Sequence, residues 1–153
     1  MALPLAWHAM YPAIRHDAPD APDDDHGGAA MLSLFTDYLA NDTHERAAVA
    51  GLDFRGRLLS FAETAGSRSE IESVLPIFRS VLAERSVTDI LIAHSHPFTT
   101  AVASAQDRLT TQRLSALARL AGTLLLDHFI FGTDGVYSIR QQRFMSQVCA
   151  AKS

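Results

Sequence analysis

Residues 90–107 read Ile90-Leu91-Ile92-Ala93-His94-Ser95-His96-Pro97-Phe98-Thr99-Thr100-Ala101-Val102-Ala103-Ser104-Ala105-Gln106-Asp107. The opening apolar run has the composition of a buried strand. Side chains at i and i+2 of a strand leave the same face, so His94 and His96 can address one ion from the strand's tip. Pro97 lacks an amide proton and stops the strand just past its last histidine. A carboxylate, Asp107, follows eleven positions after His96. Two imidazoles and a carboxylate on tetrahedral zinc leave the fourth position open, which marks a catalytic site rather than a structural one. The expectation is one Zn2+ ion held by His94, His96 and Asp107.

Each half also has an ordinary explanation. Ser104-x-x-Asp107 has the form of a capping box, with Ser104 as N-cap and Asp107 at the third helical position. A pair of histidines at a strand end can simply be half-buried with backbone partners. The combination is rarer than either half, and the two readings of residues 104–107 are compatible. A helix N-terminus fixes Asp107 in place, and a metal site needs its ligands ordered. Near the ion, the Ser104 hydroxyl can hydrogen-bond a developing oxyanion.

Working outward, Met31, Leu32, Leu34, Phe35, Tyr38 and Leu39 give a helical stripe that ends at Asn41-Asp42. Residues 45–53 and 58–62 read as strands joined by the turn Phe54-Arg55-Gly56-Arg57. Ser69-Glu70-Ile71-Glu72 has capping-box form, and Val74, Ile77, Phe78, Val81 and Leu82 follow at helical spacing. Pro76 inside that pattern marks either a kink or the helix's true first turn. Val87 to Ala93 is the buried strand. Ser104 to about Ala121 is a helix bearing Leu109, Leu114, Leu117 and Leu120, closed by Gly122. Leu124 to Phe131 and Val136 to Ile139 are strands around the turn Thr133-Asp134-Gly135, and residues 140–149 are assigned to a terminal helix. The order predicts an α/β (α+β) fold, a mixed sheet with flanking helices. No internal repeat is found.

The chain of 153 residues, with 48% apolar and 20% charged residues, suits one domain with a real core. Residues 1–28 stand apart as a flexible arm rich in Pro and Asp, leaving 29–153 as the folded domain. His8, His16 and His26 in the arm are read as solvent-exposed. Trp7, Met10, Tyr11 and Ile14 give it anchors for the body or for a second subunit of a homodimer. A net charge of −4 argues against a broad nucleic-acid-binding face. Cys149 is the single cysteine, which excludes an intrachain disulfide and cysteine-rich zinc sites. No apolar run is long enough for a membrane span, and the start lacks the basic region of a secretory signal, so a cytoplasmic location is expected.

A metal-activated water needs a carboxylate to orient it and carry its proton. Glu45, which opens the first strand, is the leading candidate, and Glu63 at the far end of the hairpin is the second. An exposed charge at a strand start is the ordinary reading of Glu45 taken alone.

The stretch His94-Ser95-His96-Pro97…Ser104…Asp107 resembles the JAMM (MPN+, JAB) metalloprotease motif. Leu125-Leu126-Asp127-His128-Phe129-Ile130-Phe131-Gly132, Tyr137-Ser138 and Glu45 before Leu52-Asp53 are similar to the RadC-like bacterial branch, and the likeness covers about residues 30–140. It implies a curved mixed sheet between helices, with a JAB/MPN-like layering. It implies zinc on His94, His96 and Asp107, Glu45 as general acid/base, and Ser104 on the oxyanion. Asp127-His128 is read as a supporting pair with side chains on opposite faces, one of them able to back the ligands, rather than as further ligands. The chain departs from that branch at Ser95, where Asn is usual, and at Phe98-Thr99, where Ser-Gly is usual. The common Pro-Arg pair is not apparent around Pro76, and an acidic arm stands where full-length members carry a helix-hairpin-helix region.

The resemblance thus implies a zinc-dependent hydrolase acting on a peptide or protein substrate at a peptide or isopeptide bond. The alternative is a non-catalytic accessory module in DNA repair or mobile-element biology, for which a plug over the site by the loop from Phe98 to Val102 would be the sign. A nucleobase deaminase is excluded by the absence of its His-x-Glu and Pro-Cys-x-x-Cys motifs. An amidohydrolase barrel is excluded by length.

Overall fold

The computed structural model describes residues 34–39, 44–64 and 71–144. The arm over 1–28, the Asn41-Asp42 stop, and Ser69 and Glu70 of the expected capping box lie outside them. Six strands form one sheet: β1 (Ala47–Leu52), β2 (Leu58–Thr64), β3 (Asp89–Ser95), β4 (Leu124–Gly132), β5 (Gly135–Ser138) and β6 (Arg143–Phe144), in the spatial order β2-β1-β3-β4-β5-β6. Only β3 and β4 run parallel; every other neighbouring pair is antiparallel. A parallel pair needs a crossover, and the helix α2 (Ala105–Leu120) supplies it. Helix α1 (Ile71–Leu82) joins β2 to β3, with Pro76 inside it. The α/β class with a mixed sheet between helices is therefore observed.

Both faces of the sheet are covered. On one, the helical residues 34–39 pack Phe35 and Leu39 over Ala48, Ala50, Leu91, Ala93, Phe129 and Phe131. On the other, Val74, Phe78 and Val81 of α1 and Leu114 and Ala118 of α2 meet Ala47, Val49, Ile90 and Ile92. This explains the weak alternation of β1. A strand buried on both sides has no polar face to show, and all six of its residues are buried.

The tight turn before β2 is built by Asp53. Its Oδ1 accepts from the amides of Arg55 (2.8 Å) and Arg57 (2.9 Å), and its Oδ2 from Arg57 Nε (2.8 Å). Burial works to raise this carboxyl, but the Arg57 amide and side chain and the Arg55 amide outweigh it and lower the pKa.

Helix α2 differs from its expected apolar stripe. Leu109, Leu117 and Leu120 are exposed, and of the four leucines only Leu114 is buried. The sheet-facing stripe is Asp107, Thr110, Leu114 and Ala118, at helical spacing. Small and polar residues let the helix lie close to β4 and place Asp107 on its inner side. The helix ends at Ala121, and Gly122 takes a φ of 77°. Gly122 N donates to Arg119 O and Thr123 N to Ala118 O, the paired bonds of a Schellman motif. A Cβ at Gly122 would meet nothing within 4 Å, so the glycine answers to backbone angle alone. Gly122→Ala is expected to lower unfolding stability by about 1 kcal/mol, read as a shift of the urea midpoint at constant slope.

Residues 140–144 correct the terminal-helix expectation. Residues 139–142 form a turn, with Gln142 at a φ of 51°, and Arg143–Phe144 pairs with β5. Residues 145–149 lie outside the described part.

Candidate metal centre

β3 carries His94 at its end, facing the helices of the α1/α2 side like Ile90 and Ile92. The strand direction persists one step further, because His96 N donates to Phe131 O of β4 at 2.7 Å. Both imidazoles therefore leave the same face. The crossover helix then begins at Ser104, whose hydroxyl accepts from Asp107 N (3.0 Å) while Asp107 Oδ2 accepts from Ser104 N (2.8 Å). The expected capping box is present, and it fixes the Asp107 side chain.

Three donor groups converge there: His94, His96 and Asp107 offer ligand atoms that all lie within 4.8 Å of one another. His94 Nε2 is 3.0 Å from His96 Nε2 and 3.3 Å from Asp107 Oδ1, and His96 Nε2 is 3.7 Å from Asp107 Oδ2. Tetrahedral donors about 2.0–2.1 Å from zinc stand roughly 3.3 Å from each other, so the spacing fits one small divalent ion. Asp107 Oδ1 is the second sign. It is buried without a hydrogen-bond partner, an arrangement that costs about 1–3 kcal/mol unless a cation answers it. Burial works to raise the Asp107 carboxyl, but His94 beside it and the bonds from Ser104 prevail and hold it well below the usual carboxylate range. It is thus ionised, as a metal ligand must be.

The surroundings hold the ligands from behind. His96 Nδ1 lies 3.4 Å from Thr100 O. His94 Nδ1 lies 2.6 Å from Nε2 of His128, and His128 Nδ1 lies 2.7 Å from Thr111 Oγ1 of α2. His128 is buried, and burial first, then the nearby His94, push its pKa well below the histidine norm. Its place depends on one irregularity. Ile90 pairs with Leu125 but Leu91 pairs with Asp127, so Leu126 is an extra residue in β4. That reset turns His128 toward His94. Asp127 on the other side accepts from Ser138 Oγ, from Arg140 N (3.0 Å) and from His128 N (2.7 Å). The pair therefore supports rather than extends the ligand set.

Glu45 is exposed, two residues before Ala47, which faces His94 across the β1/β3 pairing. Ser95 secures this segment on both sides of it. Ser95 N donates to Arg46 O (2.9 Å), Arg46 N donates to Ser95 Oγ (2.9 Å), and Ser95 Oγ reaches His44 O (3.5 Å). Glu63, the second candidate, is exposed and pairs with Ala48 on the sheet-edge strand β2. Ser104 is exposed at the helix start. In the loop after His96, Phe98 is 76% and Val102 57% exposed, while Ala101 is buried.

That loop is pinned to the β4–β5 turn: Thr133 N donates to Thr99 O (2.9 Å) and Ala101 N to Asp134 Oδ1 (2.7 Å). Gly132 makes the approach feasible, because a Cβ there would stand 2.1 Å from Ala101 N and 2.6 Å from Thr100 C. These are backbone atoms that cannot rotate aside. Gly132→Ala is expected to cost about 1–3 kcal/mol and to weaken ion binding by shifting the Thr100 carbonyl from His96. A thermal melt beside a chelator-competition titration checks both effects.

Sequence reasoning missed Thr111 and the tying role of Ser95. Thr111 carries a faint signal, lying one helical turn after Asp107. Ser95 carries none beyond its place between the histidines.

With this geometry in hand, comparison with known proteins is informative. A family model described as the RadC-like JAB domain matches residues 27–144. A UPF0758 protein of Picosynechococcus is 36% identical over 116 residues, covering 74% of this chain and 47% of the relative. A UPF0758 protein of Microcystis aeruginosa is 36% identical over 124 residues, covering 80% of this chain and 48% of the relative, and one of Chromohalobacter salexigens is 32% identical over 126 residues, covering 77% and 56%. The chain thus spans about half the length of the curated relatives it matches. A match running from ahead of the first described helical residues to the end of β6 takes in the whole sheet and all three converging ligands, and the chain belongs to the RadC-like JAB domain family.

Proposed function

We propose that the chain is a zinc-dependent hydrolase of the JAMM type that cleaves a peptide or isopeptide bond with an activated water. The observation that carries this reading is the convergence of His94 Nε2, His96 Nε2 and the unpartnered Asp107 Oδ1. A divalent ion bound there supplies Lewis acidity toward a carbonyl and lowers the pKa of water. Glu45 is held at the tip of β3 by the Ser95 bonds to its two neighbours and lies at the parity of Ala47. From there its carboxylate takes the proton of the attacking water and returns it to the leaving amine. The Ser104 oxygen already accepts from Asp107 N, which leaves its proton to donate to the substrate oxyanion. Exposed Phe98 and Val102, on the loop that follows His96, offer apolar contact to a peptide or protein substrate.

The site's location and partners belong to the same proposal: a cytoplasmic enzyme, in which a homodimer through the N-terminal segment is the assembly to test. Among the described residues no helix is long and apolar enough to cross a membrane. Exposure of Glu45 favours the second reading, a non-catalytic accessory module in DNA repair or mobile-element biology. Elemental analysis and a quenched-fluorescence library of peptide and isopeptide substrates separate them. One equivalent of zinc in the wild type, none in His96→Ala, and hydrolysis that follows the zinc support the enzyme. Zinc without hydrolysis, or a folded wild type without metal, supports the module and removes the enzyme.

A further inference from the structure

Thr111, His128 and His94 form a chain of contacts behind the ligand atoms, and its proton positions can be assigned. This deepens the metal reading above and rests on it. Thr111 Oγ1 lies 2.7 Å from the carbonyl oxygen of Asp107 and 2.7 Å from His128 Nδ1. A carbonyl oxygen only accepts, so the single hydroxyl proton goes to it. The hydroxyl oxygen must then accept from His128, which places a proton on His128 Nδ1. His128 is 2% exposed, with imidazole and hydroxyl as its ring-nitrogen partners. A second proton would leave a charged ring in a dry pocket, so Nε2 carries a lone pair. The 2.6 Å contact between His94 Nδ1 and His128 Nε2 then requires the proton on His94 Nδ1. His94 Nε2, the atom facing His96 and Asp107, is then the ring nitrogen left to meet an ion.

We infer that His128, anchored by Thr111, is a positioning residue that holds a proton on His94 Nδ1 and so directs Nε2, the other ring nitrogen, at the ion. Both ends of the relay sit on Asp107: its carbonyl starts the chain of donors, and its carboxylate meets His94 Nε2 at the far end. Capture of the ion thus requires no tautomer exchange at His94.

The test is in two arms. In the first, long-range 1H–15N correlation of the imidazole nitrogens in the metal-free wild type reads the tautomers directly. Protons on Nδ1 of both His94 and His128 are expected, and an unprotonated Nδ1 on either ring overturns the relay. In the second, zinc affinity is measured by competition with a chromogenic chelator, with circular dichroism confirming the fold. His128→Phe, which removes the acceptor, is expected to weaken zinc binding by about 10–100-fold. His128→Gln, whose amide oxygen can accept from His94 Nδ1, recovers most of that loss. Thr111→Val, isosteric and outside the ligand set, weakens binding less and Thr111→Ser restores it; this pair decides the matter if His128→Phe fails to fold. Wild-type affinity in a folded His128→Phe or Thr111→Val overturns the proposal. A wild type that binds no zinc yet shows both Nδ1 protons keeps the relay and removes the metal reading, so the two failures are distinguishable.

Discussion

Asp107→Asn is expected to yield a folded protein that no longer retains a divalent ion. The substitution keeps the shape of a fully buried side chain, and the amide oxygen can still accept from Ser104 N to preserve the start of α2. The amide nitrogen then falls where Oδ1 stood and donates to His94 Nε2, 3.3 Å away. A neutral donor replaces an anionic ligand and occupies the side of His94 Nε2 that an ion would need. Apparent zinc free energies of about 10–16 kcal/mol for a full protein ligand set allot roughly 3–4 kcal/mol to each ligand, about 10²–10³-fold in affinity. Chelator competition measures the loss, and a melting temperature near the wild type shows that the fold survives. Tight zinc binding in Asp107→Asn would falsify the assignment of Oδ1 as a ligand.

The second large effect concerns turnover. Glu45→Gln is expected to keep a full equivalent of zinc, because no ligand is touched, and to lower kcat by about 10²–10⁴-fold, the range of a general acid–base group. Glutamine matches glutamate in size and hydrogen bonding but cannot take a proton from water. The bonds from Ser95 to His44 and Arg46 involve main-chain atoms of the neighbours, so they persist in the variant. Metal content and kcat are therefore read on the same sample. Unchanged hydrolysis would assign the proton transfers to another group.

The ligand set was legible because it depends on short-range rules. A two-residue strand period puts His94 and His96 on one face, and a capping box fixes Asp107 in the first turn of a helix. Both rules act within a few residues and survive the tertiary structure. The strands β1 to β5 were legible for the same reason, through runs of apolar residues broken by turns. What failed depends on the neighbour across the gap. Leu109, Leu117 and Leu120 look like a core stripe, yet α2 turns Thr110, Leu114 and Ala118 inward, the face that Asp107 shares at helical spacing. Residues 140–144 carry helical-looking polarity, but β5 offers an open edge and Arg143 and Phe144 pair with it. The support of His94 by His128 was hidden because counting alternation from Leu125 places His128 in the opposite core; only the extra residue Leu126 reverses the count.

That extra residue has a consequence for how the chain can change length. Loops of this domain can gain or lose a residue at small cost, because their side chains answer to solvent. The middle of β4 cannot. Deleting a residue between Asp127 and Phe131 would turn part of the strand over and exchange its two faces, whereas deleting Leu126 itself would join Leu125 to Asp127 and leave His128 and Ile130 opposite their present β3 partners and on their present face. Tolerance to deletion along this strand should therefore peak at its one unpaired residue and fall on either side of it.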